Sequence, residues 1–429
     1  MITKISQGHV VDPSQNIDQV MDVYLQDDHI LGMCPTHSSL PVSVDRTLDA
    51  SGKYVAPGFV DIHVHLRDPG QTHKEDIETG SQAAVAGGFT SIMCMPNTVP
   101  AIDSVDTVAY ILKKAKDLAL CHVYPVGAVS KNLMGKELTP LEDLKKAGCV
   151  AFSDDGKPVE DTALLRKALE RTRALDVPLI EHCEESDLSR ALVTINEGNI
   201  SKKLGIKGLP HSAETVDVAR LIALSLETKA KVHLAHLSCA QSVEFLKSIR
   251  DLSHSITSEV TPHHLLLTDQ VIETLGTCGK MYPPLRTEHD VDQMVQGLSQ
   301  GWIDAVATDH APHTQKEKNV DFAKAPNGVI GLETALEVLL VLVQDKKIAL
   351  KDLIAAMSTK PAKIMGLPAG TMKKNAPADV VVFSIEETND NQDRQFRSKS
   401  QNTAFRNFQS RGKIWSTFVQ GREVFSQWS

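Results

Sequence analysis

The feature that most constrains the fold is an alternation of short β-like runs with helical stretches, which begins at about residue 54. The runs "YVAPGFVDIHVHL", "FTSIMCMP", "HVYPVGAVS" and "CVAFSDDG" start the series, and stretches of helical periodicity separate them. The runs "VPLIEHCEE", "KVHLAHLSC", "SITSEVTPHHLLL" and "DAVATDHAPH" bring the count to eight strands. Eight βα units over roughly 300 residues favour a closed (β/α)8 barrel of the TIM type over an open doubly wound sheet.

The segments on either side of this region have a different pattern. Residues 1–53 and residues 369–429 contain short β-like runs separated by turn residues. Neither flank alone has enough strand to bury a face, so we expect the two flanks to pair into one small β-sandwich. The sequence therefore predicts two domains, a barrel of residues 54–368 and a β-sandwich built from residues 1–53 and 369–429.

Composition narrows the function classes. The formal net charge is -9, and because nucleic acids and anionic membrane surfaces attract basic patches, we expect neither as a partner. The longest apolar stretch, "ALEVLLVLV", is too short to span a bilayer, and the first residues contain no apolar run of signal-peptide length. The 7 cysteines are odd in number and lack a C-x-x-C pair, which indicates reduced thiols and a cytoplasmic protein.

The first barrel strand carries polar residues in alternate positions. Asp61, His63 and His65 stand two residues apart, so in a regular strand they share one face. We expect the apolar residues between them, such as Val60 and Ile62, to meet the helices of the barrel. The polar set would then face inward, toward the end of the barrel where such enzymes carry their chemistry.

Four later strands also end in ionisable residues. These residues are Asp154 and Asp155, His182, His236, and Asp309. A lone histidine at a strand end is usually structural, but five strands that share this feature indicate a common site. Four imidazoles and two carboxylates suffice for two divalent ions of the zinc type, with one carboxylate bridging them. Such a centre suits hydrolysis of an amide or an ester.

Other ligand assignments stay open from the residues alone. One member of the Asp154-Asp155 pair can be a plain turn residue. A carboxylated Lys157 is a rival bridge, although it lies past the strand end. By alternation, Cys183 should face away from its neighbour His182, and we leave both Cys183 and Cys239 out of the site.

Nine motifs occur in a characteristic order along the chain: "DIHVHLRDPG", "GGFTSIMCMPNTVP", "AFSDDG", "IEHCEE", "HLAHLSC", "TPHHL", "PPLR", "ATDHAPH" and "GVIGLET". In this order they resemble the dihydroorotases of the amidohydrolase superfamily, and most closely the longer, class I type of bacteria. The resemblance covers about residues 50–365, and the flanks fit the small β-sandwich of that family.

That resemblance implies an enzyme that interconverts N-carbamoyl-L-aspartate and L-dihydroorotate in pyrimidine synthesis, with two zinc ions per subunit. The ligands it implies are His63, His65 and Asp309 for the first ion, His182 and His236 for the second, and Asp155 as the bridge. It also implies that Asp309 acts as general base and then as general acid. The substrate contacts that it implies are Arg67, Asn97, His313, Asn327 and Gly328.

One position departs from the family pattern. The family usually has asparagine before "PPLR", in contact with the substrate ring, and this chain has Tyr282 there, so the resemblance makes Tyr282 a candidate substrate contact as well. The departure keeps a hydantoinase-like or allantoinase-like activity open as an alternative. A noncatalytic partner of aspartate carbamoyltransferase is a further alternative, but relatives of that kind have lost metal ligands and this chain has all six. A homodimer and a complex with aspartate carbamoyltransferase both stay open.

Overall fold

The computed structural model describes residues 1–250, 252, 255–392 and 394–428. Within them the strands are β1 (Ile2–Asp12), β2 (Ile17–Gln26), β3 (His29–Pro35), β4 (Arg46–Asp49), β5 (Tyr54–Pro57), β6 (Phe59–Val64), β7 (Phe89–Cys94), β8 (His122–Ala128), β9 (Ala151–Ser153), β10 (Leu179–Glu181), β11 (Val232–Leu234), β12 (Ile256–Val260), β13 (Ala305–Val306), β14 (Val380–Asp390), β15 (Gln409–Val419) and β16 (Arg422–Ser426).

The α-helices of the described residues are α1 (Ile77–Ala86), α2 (Val105–Leu118), α3 (Leu141–Ala147), α4 (Thr162–Ala174), α5 (Ser186–Ser189), α6 (Asn199–Lys203), α7 (Ser212–Thr228), α8 (Ala240–Ile249), α9 (Pro262–Leu266), α10 (Ile272–Leu275), α11 (Glu288–Ser299), α12 (Gln315–Lys318), α13 (Ala335–Gln344), α14 (Leu350–Ile354) and α15 (Lys360–Met365). Short 3-10 turns lie at Pro13–Gln15, Lys131–Leu133, Asp269–Val271 and Gly276–Gly279, and a π-helical turn lies at Ala355–Thr359.

The eight strands β6 to β13 form a parallel sheet in which each strand neighbours the next one in the chain. The ring closes where Val64 forms a parallel bridge with His310, and where the backbone N–H of His65 donates to the carbonyl of His310 at 2.9 Å. Helices follow most of the strands and cover the outside of the ring, as in other barrels of this type. The predicted (β/α)8 barrel is confirmed.

Several predicted strands are shorter than we expected, and the seventh barrel strand shows a physical reason. The run "SITSEVTPHHLLL" is extended only over Ile256–Val260. Thr261 then caps α9, because its side chain accepts a hydrogen bond from the backbone N–H of His264, and Pro262 occupies the first helical turn. A threonine cap followed by proline is a common helix start, so the local sequence carries the signal for this boundary.

The two flanks form a separate, mainly antiparallel sheet, in the order β16-β15-β14-β5-β1-β2-β3, with β4 paired to β1. Strand β5 connects the N-terminal and C-terminal parts, because it pairs with β1 on one side and β14 on the other. Val10, Val23, Val55, Val382 and Phe418 lie in its buried apolar cluster. The predicted pairing of the two flanks is confirmed, and the domain boundaries after residues 53 and 368 stay a prediction.

The expected facing of strand β6 is wrong. Val60 and Ile62 belong to an apolar cluster with Met93, Val126 and Ile180, which come from three other barrel strands. These residues therefore fill the interior of the barrel instead of meeting the helices. The pairing of β6 with β7 shifts its register between Asp61 and Val64, and a shift of this kind interrupts strict alternation. His63 reaches the interior as well because of this irregularity.

Candidate metal centre and active site

Six ionisable side chains meet at the carboxyl ends of the barrel strands. They are His63, His65, Asp155, His182, His236 and Asp309, which lie within or directly after β6, β9, β10, β11 and β13. Each has an exposed fraction of 5% or less. Two groups of these side chains each offer ligand atoms that lie within 4.8 Å of one another. The first group is His63, His65 and Asp155, and the second is Asp155, His182 and His236. Asp155 belongs to both groups.

The two carboxylates lie among the imidazole rings. Oδ1 of Asp155 is 3.3 Å from Nε2 of His63 and 3.6 Å from Nε2 of His236, and its Oδ2 is 3.5 Å from Nε2 of His65. Oδ1 of Asp309 is 2.9 Å from Nε2 of His65. Burial alone would raise the pKa of Asp155, but the surrounding histidines lower it well below its usual range. Asp155 is therefore an anion at the centre of the cluster.

Several polar atoms of the cluster lack an ordinary partner. Nε2 of His63 and Oδ1 of Asp155 are buried without a hydrogen-bond partner among the described residues. Nδ1 of His182 and Nε2 of His236 approach to 3.1 Å. Buried polar atoms are costly when unpaired, and a divalent cation would satisfy these. Imidazole nitrogens with carboxylate oxygens are a donor set that fits zinc-type ions.

Glu259 on β12 orients the cluster, and the sequence analysis missed it. Its Oε1 lies 2.7 Å from Nδ1 of His63, and its Oε2 lies 3.1 Å from Nε2 of His233. Because Nδ1 of His63 donates to this carboxylate, Nε2 is the ring nitrogen that faces Asp155, at 3.3 Å from its Oδ1. Burial would raise the pKa of Glu259, but the adjacent His63 and His233 lower it, so the carboxylate is ionised. Partners of this kind fix the tautomer of a ligating histidine.

We expect Glu259→Gln to lower metal affinity or turnover about 10- to 100-fold, because the neutral amide no longer fixes the tautomer of His63. Competition with a chelator, followed by a turnover assay on the metal-loaded protein, measures both quantities. Glu244→Gln on the exposed face of α8 is the matched control. A Glu259→Gln protein within twofold of the native one on both counts would remove the orienting role.

The neighbours of Asp155 have other roles. Asp154 accepts hydrogen bonds from the backbone N–H groups of Val129 at 2.8 Å and Ser130 at 3.0 Å, so it fixes the end of β8. Lys157 is exposed, and its backbone N–H closes the turn onto the carbonyl of Asp154. Among the described residues, neither ligand group includes Lys157, Cys183 or Cys239.

Three residues of the site have left-handed backbone conformations. The φ angles are 57° at Arg67, 31° at His236 and 46° at Asp309. Such angles are uncommon for residues other than glycine, and they cluster at functional sites where the surrounding fold holds them. Each of these residues follows a barrel strand, so the strained backbone turns its side chain toward the ligand cluster.

A cavity of about 550 Å³ opens beside the ligand cluster. All the residues that the sequence analysis predicts as substrate contacts line it: Arg67, Asn97, Tyr282, His313, Asn327 and Gly328. Asn97 also contacts the cluster, because its Oδ1 lies 2.9 Å from Nδ1 of His65. A larger cavity of about 830 Å³ lies next to this one and shares Tyr282 with it. The two cavities therefore adjoin at Gly156, Lys157 and Tyr282.

Arg67 is the cation of this cavity. Its exposed fraction is 9%, and among the described residues no carboxylate lies within ion-pair distance of its guanidinium group. The contacts are to the carbonyl of Pro312 and to Nε2 of His313, both at 3.4 Å. A buried guanidinium without a carboxylate partner is a fork that suits an anionic ligand.

Tyr282 contacts the ligand cluster directly. Its ring contacts the ring of His182 in a tilted arrangement, with a centroid distance of 4.4 Å and an interplanar angle of 51°, and its hydroxyl donates to the carboxylate of Glu184. Glu184 also accepts a hydrogen bond from the hydroxyl of Ser189 at 2.5 Å. The phenol hydroxyl is thus engaged by protein and forms part of the wall between the two cavities.

Comparison with known proteins decides the family. The chain is 44% identical to the dihydroorotase of Syntrophus aciditrophicus, and the alignment covers 98% of each protein. It is 42% identical to the dihydroorotase of Aquifex aeolicus, again over 98% of each. The chain belongs to the dihydroorotase family. In agreement, the family model described as "Dihydro-orotase-like" matches residues 52–242 of this chain.

Solved structures place the chain among cyclic amidohydrolases. The L-hydantoinase of Arthrobacter aurescens superposes with a TM-score of 0.88 at 25% identity, over 99% of this chain and 96% of that one. The dihydropyrimidinase of Brevibacillus agri gives a TM-score of 0.86 at 25% identity, over 99% and 95% of the two chains. In the part of the chain that the structure describes, no helix is long and apolar enough to cross a membrane.

Proposed function

We propose that this chain belongs to the class I type of the family and interconverts N-carbamoyl-L-aspartate and L-dihydroorotate with two zinc ions per chain. The observation that carries the proposal is the pair of buried ligand groups that share Asp155 beside the cavity of Arg67. Identity of 42% to 44% to dihydroorotases over 98% of the chain supports the substrate. Turnover of L-dihydroorotate by the isolated chain tests it.

In the proposed centre, His63, His65 and Asp309 would hold one ion, and His182 and His236 would hold the other. Asp155 belongs to both ligand groups and would be a ligand shared by the two ions. When bound, two such ions lower the pKa of a shared water molecule and polarise a carbonyl group of the substrate. The protein holds all six of these side chains in buried positions at the inner end of the cavity.

Asp309 is the proposed proton carrier. Burial would raise the pKa of its carboxyl group, but the hydrogen bond to His65 and the charges of the nearby histidines lower it to about 2. The ionised carboxylate can accept a proton from the attacking water as the water oxygen bonds to the ring carbonyl carbon. When the C–N bond breaks, the same carboxyl group returns the proton to the leaving nitrogen.

Arg67 is the proposed partner of the substrate carboxylate, which the net charge of -9 would otherwise disfavour. His313 lies against it, and burial together with the charges of Arg67 and Lys74 lowers the pKa of His313 to about 2, so this imidazole is neutral. Asn97, His313, Asn327 and Gly328 complete the proposed contacts.

We expect Arg67→Lys to raise the KM for L-dihydroorotate about 10- to 100-fold and to change kcat much less. A lysine keeps the charge but loses the planar fork that binds a carboxylate with two hydrogen bonds. Steady-state kinetics measures this effect, and Arg171→Lys, on the exposed face of α4, is the control. An unchanged KM would mean that another group binds the carboxylate.

A hydantoinase-like activity is the second candidate, and Tyr282 is the observation that favours it. A bulky phenol replaces the asparagine usual in the family, and structural neighbours include an L-hydantoinase. However, the hydroxyl of Tyr282 is engaged by Glu184, and the identity of 42% to 44% to dihydroorotases over 98% of the chain favours dihydroorotate. A homodimer, a complex with aspartate carbamoyltransferase and a cytoplasmic location stay predictions. A noncatalytic role is disfavoured because all six proposed ligands are present.

A further inference from the structure

Two buried lysines contact the segment that carries Asn327 and Gly328. We term residues 322–328 the substrate loop. Nζ of Lys280 donates to three of its carbonyls, those of Phe322 at 2.8 Å, Ala323 at 3.1 Å and Ala325 at 2.7 Å. Nζ of Lys318 donates to the carbonyls of Pro326 and Gly328, both at 3.0 Å, and to that of Lys280 at 3.4 Å. Each ammonium group therefore makes three contacts with carbonyl oxygens, and five of the six acceptors belong to the substrate loop.

This arrangement is unusual for lysine. Each of the two side chains has an exposed fraction of 4%, and among the described residues neither has a carboxylate within ion-pair distance. A buried ammonium group without an anion is expensive, and an apolar side chain would fill the same space at lower cost. Burial accordingly lowers the pKa of both groups, that of Lys318 to about 8. The contacts with the substrate loop offset part of the free-energy cost of burying the two ammonium groups.

Other contacts fix the edge of the loop that lines the cavity. The carbonyl of Asn327 lies 2.8 Å from Nε2 of His313. Oδ1 of Asn327 is buried and has no hydrogen-bond partner among the described residues, although Asn327 lines the cavity. The loop thus holds one unused acceptor beside the site. Contacts that are fixed before binding lower the entropy cost of binding.

A third group ties the loop to the strand end that carries Asp309. The side chain of Asn402 donates to the carbonyls of Ala311 at 3.2 Å and Gly328 at 3.1 Å, and its Oδ1 accepts the backbone N–H of His313 at 3.1 Å. A displacement of the loop would therefore also disturb His313. The backbone at Gly328 leaves no space for a larger residue, since an added Cβ would lie 2.5 Å from that of Ala311.

We propose that Lys280 and Lys318 are positioning residues that hold the substrate loop in the shape that binds the cyclic substrate. This inference rests on the proposed contacts of Asn327 and Gly328 with the substrate. Neither lysine touches the reacting atoms. Their loss should therefore affect substrate binding much more than the chemical step.

The test is Lys318→Met, which keeps most of the side-chain volume and removes the ammonium group. We expect the KM for L-dihydroorotate to rise about 10- to 100-fold, because only a fraction of molecules then has the competent loop. We expect kcat to fall less than about fivefold, since the ligand cluster is untouched. The exposed Lys316, on the same helix α12, gives the matched control Lys316→Met, which should match the native protein.

A second readout reports on the loop itself. Lys324 is exposed within the loop, so trypsin should cut after it faster in Lys318→Met than in the native protein, at an unchanged melting temperature. Lys280→Met is the second variant if Lys318→Met fails to fold. In a double-mutant cycle with Asn327→Ala, the two effects should be clearly less than additive if Lys318 acts through the loop.

The inference is wrong if KM stays within twofold of the native value, if the two effects add, or if kcat and melting temperature fall together while KM is unchanged. These outcomes differ from a failure of the proposed function. In that case the native protein itself would not turn over L-dihydroorotate, whereas protection of the loop from trypsin would still depend on the two lysines.

Discussion

Asp309→Ala is expected to lower kcat for L-dihydroorotate by at least about 1,000-fold while the fold stays intact. The carboxylate lies 2.9 Å from Nε2 of His65 and is ionised because the histidines around it lower its pKa to about 2. It is thus the proposed acceptor of the proton from water and its donor to the leaving nitrogen, and such transfers contribute about 100- to 10,000-fold. Turnover assays measure kcat, and circular dichroism measures whether the fold is retained.

Asp309→Asn separates proton transfer from metal binding. The amide keeps an oxygen in the same place, so zinc content should stay close to that of the native protein, but it cannot carry the proton. We expect its kcat to be as low as that of the alanine variant. If Asp309→Asn retained more than about a tenth of native turnover, Asp309 would be a metal ligand only, and another group would carry the proton.

Asp155→Ala is expected to have the second large effect, the loss of the metal centre. Asp155 belongs to both ligand groups, and its carboxylate lies between Nε2 of His63 and Nε2 of His236. Without this carboxylate, each of the two proposed ions would lose one ligand. We expect about two zinc ions per native chain and fewer than one per Asp155→Ala chain, with turnover lowered at least about 1,000-fold.

Metal analysis of gently purified protein measures this effect, and Asp292→Ala, at an exposed position of α11, is the control. Native protein without zinc would argue against the proposed centre as a whole. An Asp155→Ala protein with two ions would instead show that the bridge is another residue, and Lys157 would then need to be tested in the same way.

The barrel and the ligand cluster were accessible to sequence reasoning because the topology itself brings them together. Parallel strands in a closed barrel end on one face, so ionisable residues at five strand ends had to meet. The same reasoning could not choose between Asp154 and Asp155. That choice depends on the backbone N–H groups of Val129 and Ser130, which lie about 25 residues away in the sequence. Both donate hydrogen bonds to Asp154, so Asp155 is left for the ligand cluster.

Other features depend on contacts that no local pattern contains. Glu259 has the sequence context of an ordinary strand residue, and only the closed ring brings it to His63. Alternation failed on β6 because of the register shift after Asp61. Asn402 lies in the C-terminal flank, yet it contacts the loops of the barrel site. Long-range contacts of this kind become visible only in the folded chain.

The most direct measurement is hydrolysis of L-dihydroorotate by the purified, zinc-supplemented chain alone. Hydantoin and allantoin serve as parallel substrates, and a chelated sample is the control. We expect metal-dependent turnover of L-dihydroorotate and none of the other two rings, with Tyr282 as a tolerated substitution. Turnover of hydantoin or allantoin in its place, or no turnover of any of the three, would contradict the proposed substrate.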